Sequence, residues 1–129
     1  PLFVPEKPDV AIFTTGSLAH AALAAAVALE KTGIAVSVTH FATVKPLDTA
    51  VVLSAAKRAG RVITVEEHQI AGGFGSAVTE ILAEQYPVPV QRLGLKDEFG
   101  QSGEPDELLA HYGLSAEGIA TAVRGFTRT

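Results

Sequence analysis

The chain has 129 residues and a mass of 13.4 kDa, room for one domain and little more. Hydrophobic residues make up 47% and charged residues 19%, which excludes a chain too polar to bury a core. A formal net charge of −4 excludes a nucleic-acid binder built on a basic face. Cysteine is absent, which removes disulfides, thiolate metal sites and thiol nucleophiles together and fits a reducing compartment. No apolar run approaches the roughly 18 residues of a membrane span. The alanine-rich stretch from Ser17 to Lys31 carries His20 and Glu30. With no basic segment leading into an apolar one at the N-terminus, no secretory signal is expected and the location expected is cytoplasmic. Methionine is absent even at position 1, so a chain opening PLFVPEKPDV is expected to be cut from something longer.

Residues 1–8, with Pro1, Pro5 and Pro8, read as a linker or edge segment, and residues 9–129 as the domain. Val10 to Thr14 is a short β-rich run, followed by Gly16-Ser17 and a long helical stretch. In that helix Leu18, Ala22, Ala25 and Leu29 form one stripe, the alanines imply close approach to a sheet, and Gly33 ends it. Ile34 to His40 alternates as a second strand. Asp48 is an N-cap for a helix that includes Leu53 and Ala56 and stops at Gly60. Arg61 to Val65 is a third strand, apolar enough to be buried on both faces, followed by a polar loop, Glu66 to Gln69. Gly72-Gly73-Phe74-Gly75 opens a helix with Val78, Ile81, Leu82 and Gln85, which Pro87 breaks. Val88 to Leu95 is a fourth strand, 97–103 a loop, and two short helices follow near Asp106 to His111 and Ala116 to Phe126. Strands separated by helices predict a three-layer α/β fold, an open, mostly parallel sheet of about five strands with helices on both faces and Rossmann-like topology. Such sheets place ligands outside the carboxyl ends of their strands, where the loops after Thr14, Val65 and Leu95 can meet.

Each candidate for chemistry has a structural alternative. The Gly72 to Gly75 turn opens a helix after a strand, a place for an anion or for tight packing. Val78 stands where a dinucleotide fingerprint has a third small residue, although Asp97 lies about 20 residues on, as that fingerprint requires. Glu66-Glu67-His68 ends a strand; alternation puts at most two of the three on one face, as an acid–base pair or as a polar rim bonded to its loop or to a neighbouring domain. Gly16-Ser17 can hold a phosphate or simply cap a helix. His20 reads as a surface or packing residue, His111 as exposed in a short helix, and His40 ends a strand without an assigned role. No H-E-x-x-H pair, G-x-S-x-G elbow or P-loop is present.

Within Val62 to Leu82 the run ITVEEHQIAGGFGSAVTEIL resembles the C-terminal domain of the transketolase group. That group includes transketolase, deoxyxylulose-phosphate synthase and the β subunits of 2-oxo-acid dehydrogenases. Thr15-Gly16-Ser17 with its flanks, Phe41 to Leu47 (FATVKPL) and the ending Ala122 to Gly125 resemble it too. Phe99 to Leu114, with Ser102-Gly103, Pro105 and Tyr112-Gly113-Leu114, is most similar to transketolase itself and argues against the sister enzymes. The resemblance implies an enzyme that transfers a two-carbon ketol unit between sugar phosphates with thiamine diphosphate and Mg²⁺ held by two preceding domains, one pyrimidine-binding and one diphosphate-binding. It implies a homodimer, no nucleic acid or membrane partner, and no catalytic, cofactor or metal residue from this chain. Gly16, Ser17, Glu67, His68, Gly72, Gly73, Gly75, Ser102 and Gly103 then become residues of an interface or a regulatory pocket. The competing expectation is a stand-alone module that binds phosphate or a nucleotide at Gly16-Ser17 or at Gly72 to Gly75.

Overall fold

Strand β1 (Val10–Thr14) leads through a 3-10 turn (Gly16–Leu18) into helix α1 (Ala19–Glu30). There follow β2 (Val36–His40), α2 (Thr49–Ala59), β3 (Val62–Gln69), α3 (Phe74–Gln85), β4 (Val90–Leu95) and α4 (Ala116–Thr127). The computed structural model describes residues 5–42, 47–69, 73–95 and 114–127, with residues 67–69 and 95 described by backbone alone. The four described strands are all parallel, in the order β2-β1-β3-β4. This is the expected open α/β sheet. The expected helix at Asp106 to His111 and the 97–103 loop lie outside the described residues.

Strand alternation divides the core in two. Val10 and Ile12 of β1, Val36 and Val38 of β2, and Ile63 and Val65 of β3 face α1 and α4. Ala11, Phe13 and Val62 face α2 and α3 with Val52, Ala56, Val78 and Leu82. Ala22, Ala25 and Ala26 of α1 are buried, and their small side chains let the helix lie close to the sheet. Leu29 is fully buried, a contribution of about 2 kcal/mol to stability.

Helix ends follow the local chemistry read from the sequence. The Asp48 carboxylate accepts the Val51 N–H at 3.2 Å at the start of α2. Gly60 ends α2 in the left-handed region (φ 77°), where its N–H donates to the Ala56 carbonyl at 2.8 Å. Strands β2 and β4 each begin two residues later than expected, and two further differences bear on the site. Helix α1 begins at Ala19, because the first turn after β1 is wound as 3-10. The polar run Glu66 to Gln69 continues β3 instead of leaving it as a loop. There Val65 pairs with Leu93 and Gln69 with Leu95, so β3 bulges against β4. A strand can carry Glu66 into the interior because donors wait for its carboxylate, as the site shows.

Candidate functional site

The strand order reverses direction between β1 and β3, since β2 lies on one side of β1 and β3 on the other. The carboxyl ends of these two strands bound the crevice where this architecture places its site. Thr15 donates its N–H to the Val65 carbonyl at 3.3 Å, tying the exit of β1 to β3. Gly16 (φ 65°) then turns the chain, and it and Ser17 are exposed at the rim. Ser17 lies inside the 3-10 turn; the residue at the N-cap of α1 is Leu18.

Glu66 is the buried group of this edge, with no exposed surface. Alternation along β3 puts it with Val62 and Thr64, on the face that α3 covers. One carboxylate oxygen accepts the Phe74 N–H at 2.7 Å and the other accepts the Gly75 N–H at 3.1 Å. These are first-turn amides of α3, which have no partner within the helix. A carboxylate there also meets the positive end of the helix dipole. Gly73 is the N-cap residue of α3 and offers no side chain for the purpose, so Glu66 performs the capping from the neighbouring strand.

Gly75 has a separate constraint. A Cβ at this position would lie 2.7 Å from the Thr64 hydroxyl and 3.0 Å from Cγ of Arg92. The glycine lets the first turn of α3 sit against β3 and β4, and Arg92 crosses over it to donate to the Ser76 hydroxyl at 3.2 Å. Below, Phe41 meets Phe13 edge-on and Phe74 at a tilt, each with ring centroids 5.3 Å apart. Phe41 N–H also donates to the Thr14 carbonyl at 2.8 Å, and the Thr14 hydroxyl and His40 Nδ1 are 3.0 Å apart. The ends of β1 and β2 and the start of α3 are thereby held as one unit.

The structure brings Gly16, Ser17, Gly73 and Gly75 of the expected set to this edge. Glu67 and His68 are placed there as backbone of β3; Gly72, Ser102 and Gly103 lie outside the described residues. Glu66, the residue that organises the edge, is absent from that set. Its signal is the two-residue period from Val62 through Thr64 to a charged residue just before a glycine-rich helix start.

A diphosphate with its cation needs free amides or basic groups and a cluster of oxygen ligands. The Phe74 and Gly75 amides at the start of α3 are taken by Glu66. Among the described residues no group of three His, Asp or Glu is placed to hold a metal ion. The described residues do not fit a diphosphate–metal group at this helix. What they form is a packed strand end on which Glu66 closes the start of α3. Among the described residues no helix is long and apolar enough to cross a membrane.

Comparison with known proteins agrees with this architecture. The family described as "Transketolase, C-terminal domain" matches residues 2–119. A 1-deoxy-D-xylulose-5-phosphate synthase from Anaeromyxobacter sp. (strain Fw109-5) is 46% identical over 94% of this chain, which corresponds to 20% of the synthase. A 6-deoxy-6-sulfo-D-fructose transketolase subunit from Clostridium sp. (strain MSTE9) is 42% identical over 95% of this chain and 38% of that subunit. A solved split-gene transketolase, an inactive β4 tetramer, superposes with a TM-score of 0.85 at 41% identity, covering 95% of this chain and 39% of that one. The chain thus spans about a fifth to two-fifths of the length of these relatives. Synthases and transketolase subunits match at comparable identity, so these comparisons do not bear out the choice between them expected from Phe99 to Leu114. A family match along most of the chain, with the open parallel sheet to carry it, makes this chain a member of the transketolase C-terminal domain family, in the thiamine-diphosphate-dependent transketolase and deoxyxylulose-phosphate synthase group.

Proposed function

We propose that the chain is the C-terminal domain of a transketolase that transfers a two-carbon ketol unit between sugar phosphates, and that its own task is assembly. The observation that carries this is the superposition on a split-gene transketolase chain, of which this fold accounts for 39%. Residues 9–129 are the domain and residues 1–8 lead into it. Thiamine diphosphate, used by the family, and Mg²⁺ are held by the pyrimidine-binding and diphosphate-binding domains, which are its partners in a cytoplasmic homodimer of the whole enzyme. The cofactor supplies the carbanion-stabilising chemistry; this chain's residues hold a rim. Gly16, Ser17, Glu67, His68, Gly72, Gly73, Gly75, Ser102 and Gly103 form the interface or a regulatory pocket. The Glu66 clamp and the three phenylalanines keep that rim in one geometry.

The test is a ketol-transfer assay with thiamine diphosphate, Mg²⁺, a ketose-phosphate donor and an aldose-phosphate acceptor. The chain is assayed alone and together with the two cofactor-binding domains. Activity only in the mixture is expected; activity of the chain alone refutes the proposal. A second reading, the equivalent domain of a synthase, is favoured by the 46% identity to such an enzyme. Formation of 1-deoxy-D-xylulose 5-phosphate by the same mixture, without ketol transfer, would establish it in place of the first.

A further inference from the structure

A cleft of about 250 Å³ lies between the outer strand β2 and helix α2. Ser37 and Thr39 belong to its lining, and along β2 they alternate with Val36 and Val38, which face the opposite core. Helix α2 contributes Ser54, Ala55 and Arg58, and Pro8 contributes from the segment that enters β1. A cleft of this kind, mostly apolar with a few convergent polar groups, is the usual form of a small-molecule site.

Two observations say what it would take. Ser37 is only 4% exposed, and among the described residues its hydroxyl has no hydrogen-bond partner. A buried hydroxyl left so is costly, and a ligand oxygen would satisfy it. Arg58 is exposed. Among the described residues its one bond is a long one, 3.4 Å, to the Pro5 carbonyl. Its guanidinium is therefore available for a stronger, charge-assisted contact with an oxyanion. The volume is below the ~300 Å³ at which typical ligand pockets begin, which suits a ligand of a few carbons.

We propose that this cleft binds a small hydroxylated oxyanion, a phosphorylated or carboxylated compound of a few carbons. Arg58 binds the anionic group and the Ser37 hydroxyl bonds a hydroxyl of the ligand. The cleft shares no lining residue with the interface set proposed above and does not depend on that function.

The test follows backbone amide resonances of the protein while glycerol 3-phosphate, glycerate, glycerol or inorganic phosphate is added. Saturable shifts at Ser37, Thr39, Ser54 and Arg58 are expected with at least one of the two hydroxylated anions and not with glycerol. The tighter of the two identifies the anionic group. Arg58→Gln should weaken binding about tenfold or more, as for one lost charge-assisted contact. Ser37→Ala should weaken it several-fold without lowering the melting temperature, because an unpartnered hydroxyl is removed. No saturation by either anion below about 10 mM, or binding unchanged in Arg58→Gln, overturns the proposal. Inorganic phosphate binding as tightly as glycerol 3-phosphate overturns the role of Ser37, as does a lower melting temperature in Ser37→Ala.

Discussion

Replacing Glu66 by glutamine changes one oxygen to an NH₂ and little else, so it isolates the capping of α3 from packing. In the native protein the two carboxylate oxygens accept from Phe74 and Gly75 at 2.7 and 3.1 Å, in a place without solvent. Glutamine keeps an acceptor for one amide and turns a donor toward the other. The orphaned N–H then costs about 1–3 kcal/mol, and the lost charge weakens the remaining bond, so about 2–3 kcal/mol is expected for Glu66→Gln. Glu66→Ala leaves both amides without a partner and opens a cavity, for about 3–5 kcal/mol. Urea unfolding of the three proteins measures both differences, and hydrogen exchange at Phe74 and Gly75 reports the cap directly. Both amides should exchange faster in the variants, and added phosphate should leave them unmoved in the native protein. Native stability and native exchange in Glu66→Gln would refute the clamp. Phosphate-induced shifts at Phe74 and Gly75 of the native protein would show that the helix start is open to an external anion.

Gly75→Ala should destabilise by about 1–3 kcal/mol, because the new Cβ falls 2.7 Å from the Thr64 hydroxyl. The loss should shrink in a Thr64→Ala background, a coupling that a double-mutant cycle in urea reads. Asp48→Ala removes the acceptor of the Val51 N–H and should cost about 1 kcal/mol by the same measurement, with frayed exchange confined to the start of α2. Phe13→Ala empties a fully buried site and removes the edge-on contact with Phe41, for about 3–5 kcal/mol of stability.

The candidate site was only partly legible in the sequence. The glycine-rich turn stood out as a helix start, and Glu66-Glu67-His68 as a polar strand end. Which of those three residues turns inward depends on where β3 stops, and the polar composition of Glu66 to Gln69 read as a loop. The strand continues because β4 pairs beyond the bulge and because the amides of Phe74 and Gly75 return to meet Glu66. Ser17 shows the same limit. Its place before an alanine-rich helix fits a cap, but the 3-10 turn moves the helix start past it. The function expected of the glycine turn also depends on this contact, since the capping oxygens come from a residue eight or nine positions away.

The alternation of strand and helix, the cap at Asp48, the stop at Gly60 and the alanine stripe of α1 are all settled by neighbours within a turn or two. Their energetics lie in backbone period, capping and side-chain size, so composition and spacing suffice to set out an open α/β sheet. The order β2-β1-β3-β4, the crevice between β1 and β3, the buried carboxylate on the start of α3 and the cleft beside β2 have no such local cause. Each arises where chain segments distant in sequence meet on one face of the sheet. Burial there makes a polar atom costly unless its partner arrives, and only the packed fold decides whether it does.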